Sequence, residues 1–372
     1  MLNLENIKIG LKNIMESKKI LFVIPSLANG GAERVVSRIS SALANKDHDV
    51  SILTFYKTDK DYLVDEKIKV VNLSNGDFED YKKIGTFKRL RLIKKVIKNI
   101  NPDAIFPFLD HVFIYVMLSI FFRKYRKSTS FLIRANLDYQ SKKIRFLLKL
   151  LLPFTKQIIV QNEGQKQSLT KKQQKKTVII PNPVEDTYLN FDKKFADEPK
   201  YIVSIGRLEN QKNYQLALNA FANVSKKYDN LKYFIYGKGS LQKELLDLCE
   251  KLDITDKVEF KGFVSSKEEI YSKCDIYLMS SRFEGMPNAL AESLSVGIPS
   301  ISTNCKFGPK DLIIDSKIGI LLEDESIQTM ENAINEMIKK YSNYASFSSY
   351  RREVMKNKYS IDKIVDLWCK TL

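Results

Sequence analysis

The chain reads as α/β, with two successive doubly wound parallel-sheet domains and a helical tail. Three observations predict this. At 372 residues it is too long for one typical core and fits two domains. Short, continuously apolar runs alternate with amphipathic stretches, the pattern of parallel strands covered on both faces. That alternation runs twice, on either side of a break that carries Pro181 and Pro183, so two sheets with a cleft between them are expected.

The elements follow in order. In the first series the apolar runs are Ile20–Ile24, Val50–Phe55, Lys69–Leu73, Ala104–Phe108, Phe131–Arg134, Gln157–Val160 and Thr177–Ile180. Helical spacing of apolar residues marks Ala32–Ala44, Lys88–Asn99, His111–Lys124 and Lys142–Leu152 between them. The second series has strands at Tyr201–Ile205, Lys232–Tyr236, Lys257–Phe260, Asp275–Met279, Pro299–Ser302 and Ile318–Leu321. Pro181 to Lys200, with two prolines and then acidic residues, reads as the linker. The expected domains are therefore 1–185 and 186–356. The tail after Gln328 is helix-like throughout, and an apolar terminal helix, 357–372 with Trp368, is expected to complete the first domain.

Composition excludes several classes. Hydrophobic residues make up 44% and charged residues 28%, which is globular rather than disordered. Four scattered cysteines and two histidines form neither a disulfide framework nor a zinc module, and fit a reducing compartment. The longest apolar run, Val112–Phe122, is about half of the ~20 residues a membrane-spanning helix needs. The first 17 residues show no secretory signal pattern. The formal net charge of +17 lies entirely in residues 1–185; residues 186–372 balance to zero. A one-sided basic surface points to an anionic membrane, a pyrophosphate ligand or nucleic acid, while 49 Lys against 12 Arg leaves solubility as the plain alternative. No nucleic-acid-binding motif is present, so no nucleic-acid partner is expected.

Open parallel sheets bind ligands on the loops after their strands. After Ile20–Ile24 the chain runs through Gly30 and Gly31 into a helix. Two adjacent glycines there allow backbone amides to approach an anion, or simply make a strand-to-helix turn. After Tyr201–Ile205, Gly206 is followed by Arg207 and Lys212, which bracket a short loop as a phosphate site or as two solvated cations. After Asp275–Met279 come Glu284, Gly285, Met286, Pro287, Asn288 and Ala289, with Glu292 about a turn and a half into the next helix. Pro287 suits that helix's first turn and Gly297 its stop. A helix N-terminus can face a diphosphate, Glu292 can accept two hydrogen bonds from a ribose diol, and Glu284 can reach a sugar hydroxyl.

Glu284-x7-Glu292, preceded by Arg207-x4-Lys212 and by Gly30-Gly31-Ala32-Glu33-Arg34, resembles glycosyltransferase family 4. These are retaining enzymes of the GT-B fold, built from two Rossmann-like domains. Pro181-Asn182-Pro183-Val184, Tyr236-Gly237-Lys238-Gly239, Lys261-Gly262-Phe263-Val264 and Ser295-Val296-Gly297-Ile298-Pro299 extend the likeness over about residues 18–340. Within the family the chain is similar to the bacterial branch that builds capsule, lipopolysaccharide and lipid-linked oligosaccharides, often from UDP-N-acetylhexosamine.

The resemblance implies roles by position. Arg207 and Lys212 would hold the donor diphosphate as leaving group, beside Gly206. Glu292 would bind the ribose, and Glu284 the donor sugar, with Gly285, Met286, Asn288 and Ala289 nearby. Gly262, Phe263 and Val264 would meet the base, and Gly30 and Gly31 the diphosphate. His111 would sit near the sugar, or serve as a cap or packing residue. Arg134 and Asn136 would face the acceptor.

Preorganised cations and a helix N-terminus supply leaving-group stabilisation without a metal. Asp47-His48-Asp49 precedes a strand rather than following one, so neither metal nor cofactor is expected. The expected partners are a nucleotide-sugar donor, a lipid-linked glycan acceptor and an anionic membrane surface. The expected location is cytoplasmic, peripheral on the inner face of the bacterial membrane. Two rival readings stand beside transfer: a UDP-sugar epimerase on the same fold, and a non-catalytic membrane or polyanion binder.

Overall fold

The computed structural model describes residues 16–28, 30–122, 124–134, 140–264 and 266–372. The absent secretory signal was read largely from residues outside that range, and Asn136 also lies outside it. The chain divides into two compact units. One takes in residues up to Phe131, Leu147–Lys156 and Cys369–Leu372; the other takes in Leu132–Phe146 and Gln157–Trp368.

The first unit holds strands β1 (Lys19–Ile24), β2 (Asp49–Thr54), β3 (Lys69–Asn72) and β4 (Ala104–Pro107). They form a parallel sheet of order β3-β2-β1-β4. Its longer helices are α1 (Gly31–Ala44), α2 (Thr86–Ile100) and α3 (Asp110–Ile120). Leu21, Val23, Leu53 and Ile105 from the strands bury against Ile93 and Ile97 of α2 and Val112 and Val116 of α3. The order of connection reverses between β1 and β4, so the loops leaving these two strands flank the place where an open parallel sheet takes a ligand. β5 (Phe131–Leu132), β6 (Ile158–Val160) and β7 (Thr177–Ile179) form a separate three-stranded sheet, and α4 (Lys142–Leu151) lies between β5 and β6 in sequence. β6 and β7 precede residue 185 and belong to the second unit.

The second unit is built on β8 (Tyr201–Ile205), β9 (Lys232–Tyr236), β10 (Val258–Gly262), β11 (Ile276–Met279), β12 (Ser300–Ser302) and β13 (Gly319–Leu321). These form a parallel sheet of order β10-β9-β8-β11-β12-β13. Successive strand residues point to opposite faces. Ile202, Tyr233, Ile276 and Leu278 therefore pack with α5 (Tyr214–Ser225), α6 (Gln242–Lys251) and α8 (Ile327–Lys339) on one face. Val203, Phe234, Tyr277 and Met279 pack with α7 (Asn288–Val296) and α9 (Ser348–Tyr359) on the other. Connection order reverses between β8 and β11, and the chain runs on into α10 (Ile361–Cys369), which buries Ile364, Val365 and Trp368.

Every strand expected from the sequence is present, with ends shifted by at most two residues. Three boundaries differ for local reasons. α3 stops at Ile120, where Arg126 donates to the Phe121 carbonyl at 3.2 Å and closes the helix end. β5 ends at Leu132, two residues before Arg134. Pro287 takes the N-cap position of α7 rather than its first helical turn, while Gly297 ends that helix at φ +89° as expected. Fully buried Arg351 ties α9 to the end of α7, donating to the carbonyls of Gly297, Lys317 and Tyr344 at 3.0, 2.8 and 2.7 Å.

Candidate active site

β8 ends at Ile205 and the chain turns at Gly206. A Cβ on Gly206 would lie 2.8 Å from Lys212 Cε, so bare backbone lets the lysine stem fold across the turn. The Tyr214 hydroxyl donates to the Gly206 carbonyl at 3.1 Å. The loop after β9 closes on the same turn: Gly206 N–H donates to Tyr236 O, and Leu208 N–H to Lys238 O. Gly237, at φ +149°, must be glycine, because a Cβ there would sit 1.9 Å from the Gly206 oxygen.

The loop after β11 runs from Ser280 to Pro287 and is joined to the β8 loop by four bonds. Ser280 Oγ donates to Lys212 O at 2.7 Å, and Arg282 N–H to Gln211 O at 2.8 Å. Gln211 Nε2 donates to Phe283 O and the Arg282 guanidinium to Asn213 Oδ1, both at 2.9 Å. Together these hold Lys212 Nζ 2.7 Å from Glu284 Oε1. Arg207 is exposed and donates to Gln211 Oε1 at 3.3 Å. The expected phosphate lysine and sugar carboxylate are thus in contact, at the carboxyl ends of the two strands where the sheet order reverses.

Gly285 fixes the rest of that loop. Its carbonyl accepts from Asn162 Nδ2 at 2.7 Å, and a Cβ on it would lie 2.3 Å from Arg134 O and 2.5 Å from Gln161 Oε1. Asn182 ties the start of α7 in place. It accepts from the Arg134 guanidinium at 2.8 Å, donates its side-chain N–H to Asn288 Oδ1 at 2.8 Å, and donates its backbone N–H to Met286 Sδ at 3.1 Å. Burial lowers the Arg134 guanidinium to about 9. Arg134 therefore stands beside the Gly285–Asn288 segment. Pro287 caps α7 with no side-chain hydrogen bond, so no cap side chain takes up the first-turn amides of Asn288 and Ala289 at the positive end of the helix dipole.

Glu292 lies one turn further along α7 and is 3% exposed. The Tyr271 hydroxyl donates to its Oε2 at 3.0 Å. Burial, and then the neighbouring Glu292 charge, push that hydroxyl well above its ordinary value, so it stays a donor. After β10, Gly262 turns at φ +66° and accepts from Gly237 N–H at 2.8 Å. Phe263 beyond it is 58% exposed, and Val264 packs against the core that holds Tyr271. Gly262 thus ends a third strand of the same sheet, and Phe263 and Val264 follow it.

In the first unit, the glycine pair and His111 flank the reversal between β1 and β4. Gly30 is the N-cap of α1 and Gly31 its first residue. The Glu33 carboxylate lies over Gly30, 2.1 Å from where a Cβ would be, and burial raises its pKa. Leu109 holds φ +79° and ψ +147°, a conformation a β-carbon disfavours, and it delivers Asp110 and His111 to the start of α3. Loss of water raises Asp110 to about 6 and lowers His111 below its ordinary value. Part of the His111 side chain is exposed, and the N-cap residue Leu109 makes no side-chain cap bond.

Sequence reasoning missed Tyr271, Asn162, Gln161 and the bridging role of Asn182. Asn182 and Gln211 lie inside matched motifs, and that was their only signal; the Pro181–Pro183 stretch read as a linker. Gln161 Oε1 and Ser281 Oγ are buried with no hydrogen-bond partner among the described residues. Among the described residues no group of three or more His, Cys, Asp or Glu could hold a metal, and no helix is long and apolar enough to cross a membrane.

The Glycosyltransferase Family 4 profile matches residues 29–188, and the Glycosyl transferases group 1 profile matches residues 186–354. The chain is 30% identical, over 95% of its length and 98% of the relative's, to a Campylobacter jejuni α-1,4-N-acetyl-D-galactosaminyltransferase named for a PP-undecaprenol-linked glycan. It is 25% identical to the amylovoran biosynthesis glycosyltransferase AmsD of Erwinia amylovora, over 86% of this chain and 90% of that one. Anabaena HepE in complex with UDP and glucose has a similar fold, at TM-score 0.78 and 18% identity, covering 95% of this chain and 99% of that one. The chain belongs to glycosyltransferase family 4, has the GT-B fold, and is a glycosyltransferase.

Proposed function

We propose that this enzyme is a retaining transferase that moves an N-acetylhexosamine or hexose from UDP to a glycan on a lipid diphosphate, in bacterial surface-polysaccharide assembly. The observation that carries the reading is the contact between Lys212 and Glu284 at the sheet reversal, with the open end of α7 beside it and Glu292 one turn behind. The named acceptor of the Campylobacter relative supports a lipid-linked glycan, and UDP in the HepE structure supports the base.

Arg207, Lys212 and the N-terminus of α7 stabilise the charge that develops on the departing diphosphate, with no metal required. Gly206 leaves room for the lysine stem. Glu292 accepts from the ribose hydroxyls, and Gly262, Phe263 and Val264 meet the base. Glu284 contacts the donor sugar beside Gly285, Met286, Asn288 and Ala289, while His111 and the Gly30-Gly31 turn stand at the reversal of the first unit's own sheet. Arg134 serves the acceptor side.

The bond between the anomeric carbon and the β-phosphate oxygen breaks. The acceptor oxygen bonds to the same face of that carbon, and the acceptor proton passes to the departing phosphate oxygen. The products are UDP and the extended glycan. The enzyme works in the cytoplasm at the inner face of the membrane.

A donor screen by nucleotide release, with a lipid-diphosphate glycan as acceptor, tests this. Acceptor-dependent UDP release, with the product's anomeric configuration matching the donor's, is expected. Interconversion of UDP-sugars without acceptor, or an inverted product, overturns it.

A further inference from the structure

We propose that the first unit carries a lipid-docking face in which Phe122 and Phe154 enter the headgroup boundary of an anionic membrane and the surrounding lysines and arginines hold its charge. This rests on the proposed placement at the inner face of the membrane and deepens it, and it does not depend on which sugar moves.

The face begins at the end of α3. Phe122 is 93% exposed, and Leu118, one helical turn earlier, is 46% exposed. Phe121 packs edge-on against both Phe122 and Phe154, with ring centroids 5.2 and 5.1 Å apart, so two separate turns of chain form one aromatic knuckle. Arg126 ties the two turns together. Its guanidinium donates to Phe121 O and lies 5.4 Å from the Phe154 ring centre. Phe154 and Leu150, the latter on α4, are 40% and 51% exposed. A folded chain leaves single apolar side chains in water routinely, but here the exposed Leu118 and Leu150 precede by four residues the two exposed phenylalanines that Phe121 joins.

The sequence around them is almost wholly cationic. Between His111 and Asn162 the sequence holds ten Lys or Arg and one acid, Asp138. Lys124, Lys127 and Lys149 are exposed beside the apolar tips. α2 packs along α3, with Arg89 reaching Tyr115 at 3.5 Å, and carries six cations and no acid between Thr86 and Ile100. Lys88, Arg91, Lys94, Lys95 and Lys98 of α2 are exposed.

Apolar tips within a cationic field match an anionic bilayer, whose surface attracts the charges and whose boundary accepts the tips. A nucleic acid would use the cations and could stack on the rings, but has no use for Leu118 and Leu150. A second copy of the chain would bring a like-charged face against this one.

The test is flotation of the full chain with vesicles of phosphatidylglycerol and phosphatidylcholine, against phosphatidylcholine alone, at low and high salt. Phe122→Ser/Phe154→Ser is compared with the parent. Phe122→Ser alone serves if the pair lowers the thermal midpoint. Binding to anionic vesicles only, weakened by salt and reduced about tenfold or more by the Phe variants, is expected. UDP binding should be unchanged in those variants, and its loss in the parent chain would concern the donor reading alone. Equal binding to neutral vesicles, parent-like binding by both Phe variants, an RNA complex in place of vesicle binding, or a dimer that the variants dissolve overturns the proposal.

Discussion

Lys212 and Glu284 form an ion pair, Nζ to Oε1 at 2.7 Å, across the gap between the loops that leave β8 and β11. Their side chains are 19% and 9% exposed, so the pair is largely out of water and each charge depends on the other. In the transfer reading Lys212 takes the donor diphosphate and Glu284 takes the sugar. Without donor the two charges satisfy each other, and an incoming diphosphate must compete with a carboxylate for the lysine. In that reading the pair holds a largely buried cation ready for the diphosphate without leaving it unpaired.

Lys212→Ala and Arg207→Ala should each lower kcat/KM by about 30- to 1000-fold, or ~2–4 kcal/mol of transition-state stabilisation. They should differ in stability. Lys212→Ala strands the buried Glu284 carboxylate, whereas exposed Arg207 leaves nothing buried behind. Adding Glu284→Gln to Lys212→Ala should restore the urea midpoint without restoring turnover. Parent-like turnover in either single variant removes that residue from the mechanism.

Glu292→Gln should weaken UDP binding by about 1–2 kcal/mol, because a charge-assisted bond to the ribose becomes a neutral one. Tyr271→Phe should weaken it less, since it removes only the bond that orients the carboxylate. Glu284→Ala should spare UDP binding and impair transfer. Calorimetric titration with UDP separates the three, and an equal loss in Glu292→Gln and Glu284→Ala would contradict the division of roles.

The residues that carry charge at this site were legible because each follows an apolar run within thirteen positions, and strand ends in a parallel sheet are where ligands bind. The reversal between β8 and β11 was not legible. Strand order is a property of the assembled sheet, and no local pattern encodes that β11 pairs with β8. The same limit hid Tyr271, which reaches Glu292 from another element, and Asn162, which meets Gly285 across 123 positions of sequence. Pro181 and Pro183 read as a linker because prolines break strands. The asparagine between them binds Arg134 as well as Met286 and Asn288 at the start of α7, which no periodicity reveals. α3 was read too long because Phe121 and Phe122 continue its apolar spacing, while Arg126 ends it from five residues downstream.

Gly285→Ala should cost both stability and activity. The new methyl would meet the Arg134 carbonyl at 2.3 Å, so backbone must move, and the loop that carries Glu284 moves with it. A cost of about 1–3 kcal/mol is expected from overpacking of this kind. Gly85→Ala is the control, because nothing lies within 4 Å of a Cβ there. If urea unfolding shows the two substitutions equal, the close approach of Gly285 to Arg134 is not a constraint.

Stability should depend on pH through Asp110 and His111, with opposite signs. Asp110 is raised from 3.8 to about 6 by loss of water, so the fold favours its protonated form. That contribution is full below about pH 4, declines as pH rises to about 6, and is absent above. Asp110→Asn should therefore be more stable than the parent at pH 8, by about 1–2 kcal/mol for a partly exposed carboxyl, with the difference closing toward pH 4. His111 is lowered by the same loss of water, so the fold favours its neutral form, and its contribution is lost as pH falls below about 6.5. A neutral imidazole at pH 7 can accept a hydroxyl proton bond from a sugar. His111→Ala should then lower kcat about tenfold or more, flatten the acid limb of the rate profile, and leave the urea midpoint at pH 8 unchanged. A parent-like rate profile in His111→Ala would place the histidine outside the reaction, and an Asp110→Asn gain that persists at pH 4 would show that its carboxyl is not the titrating group.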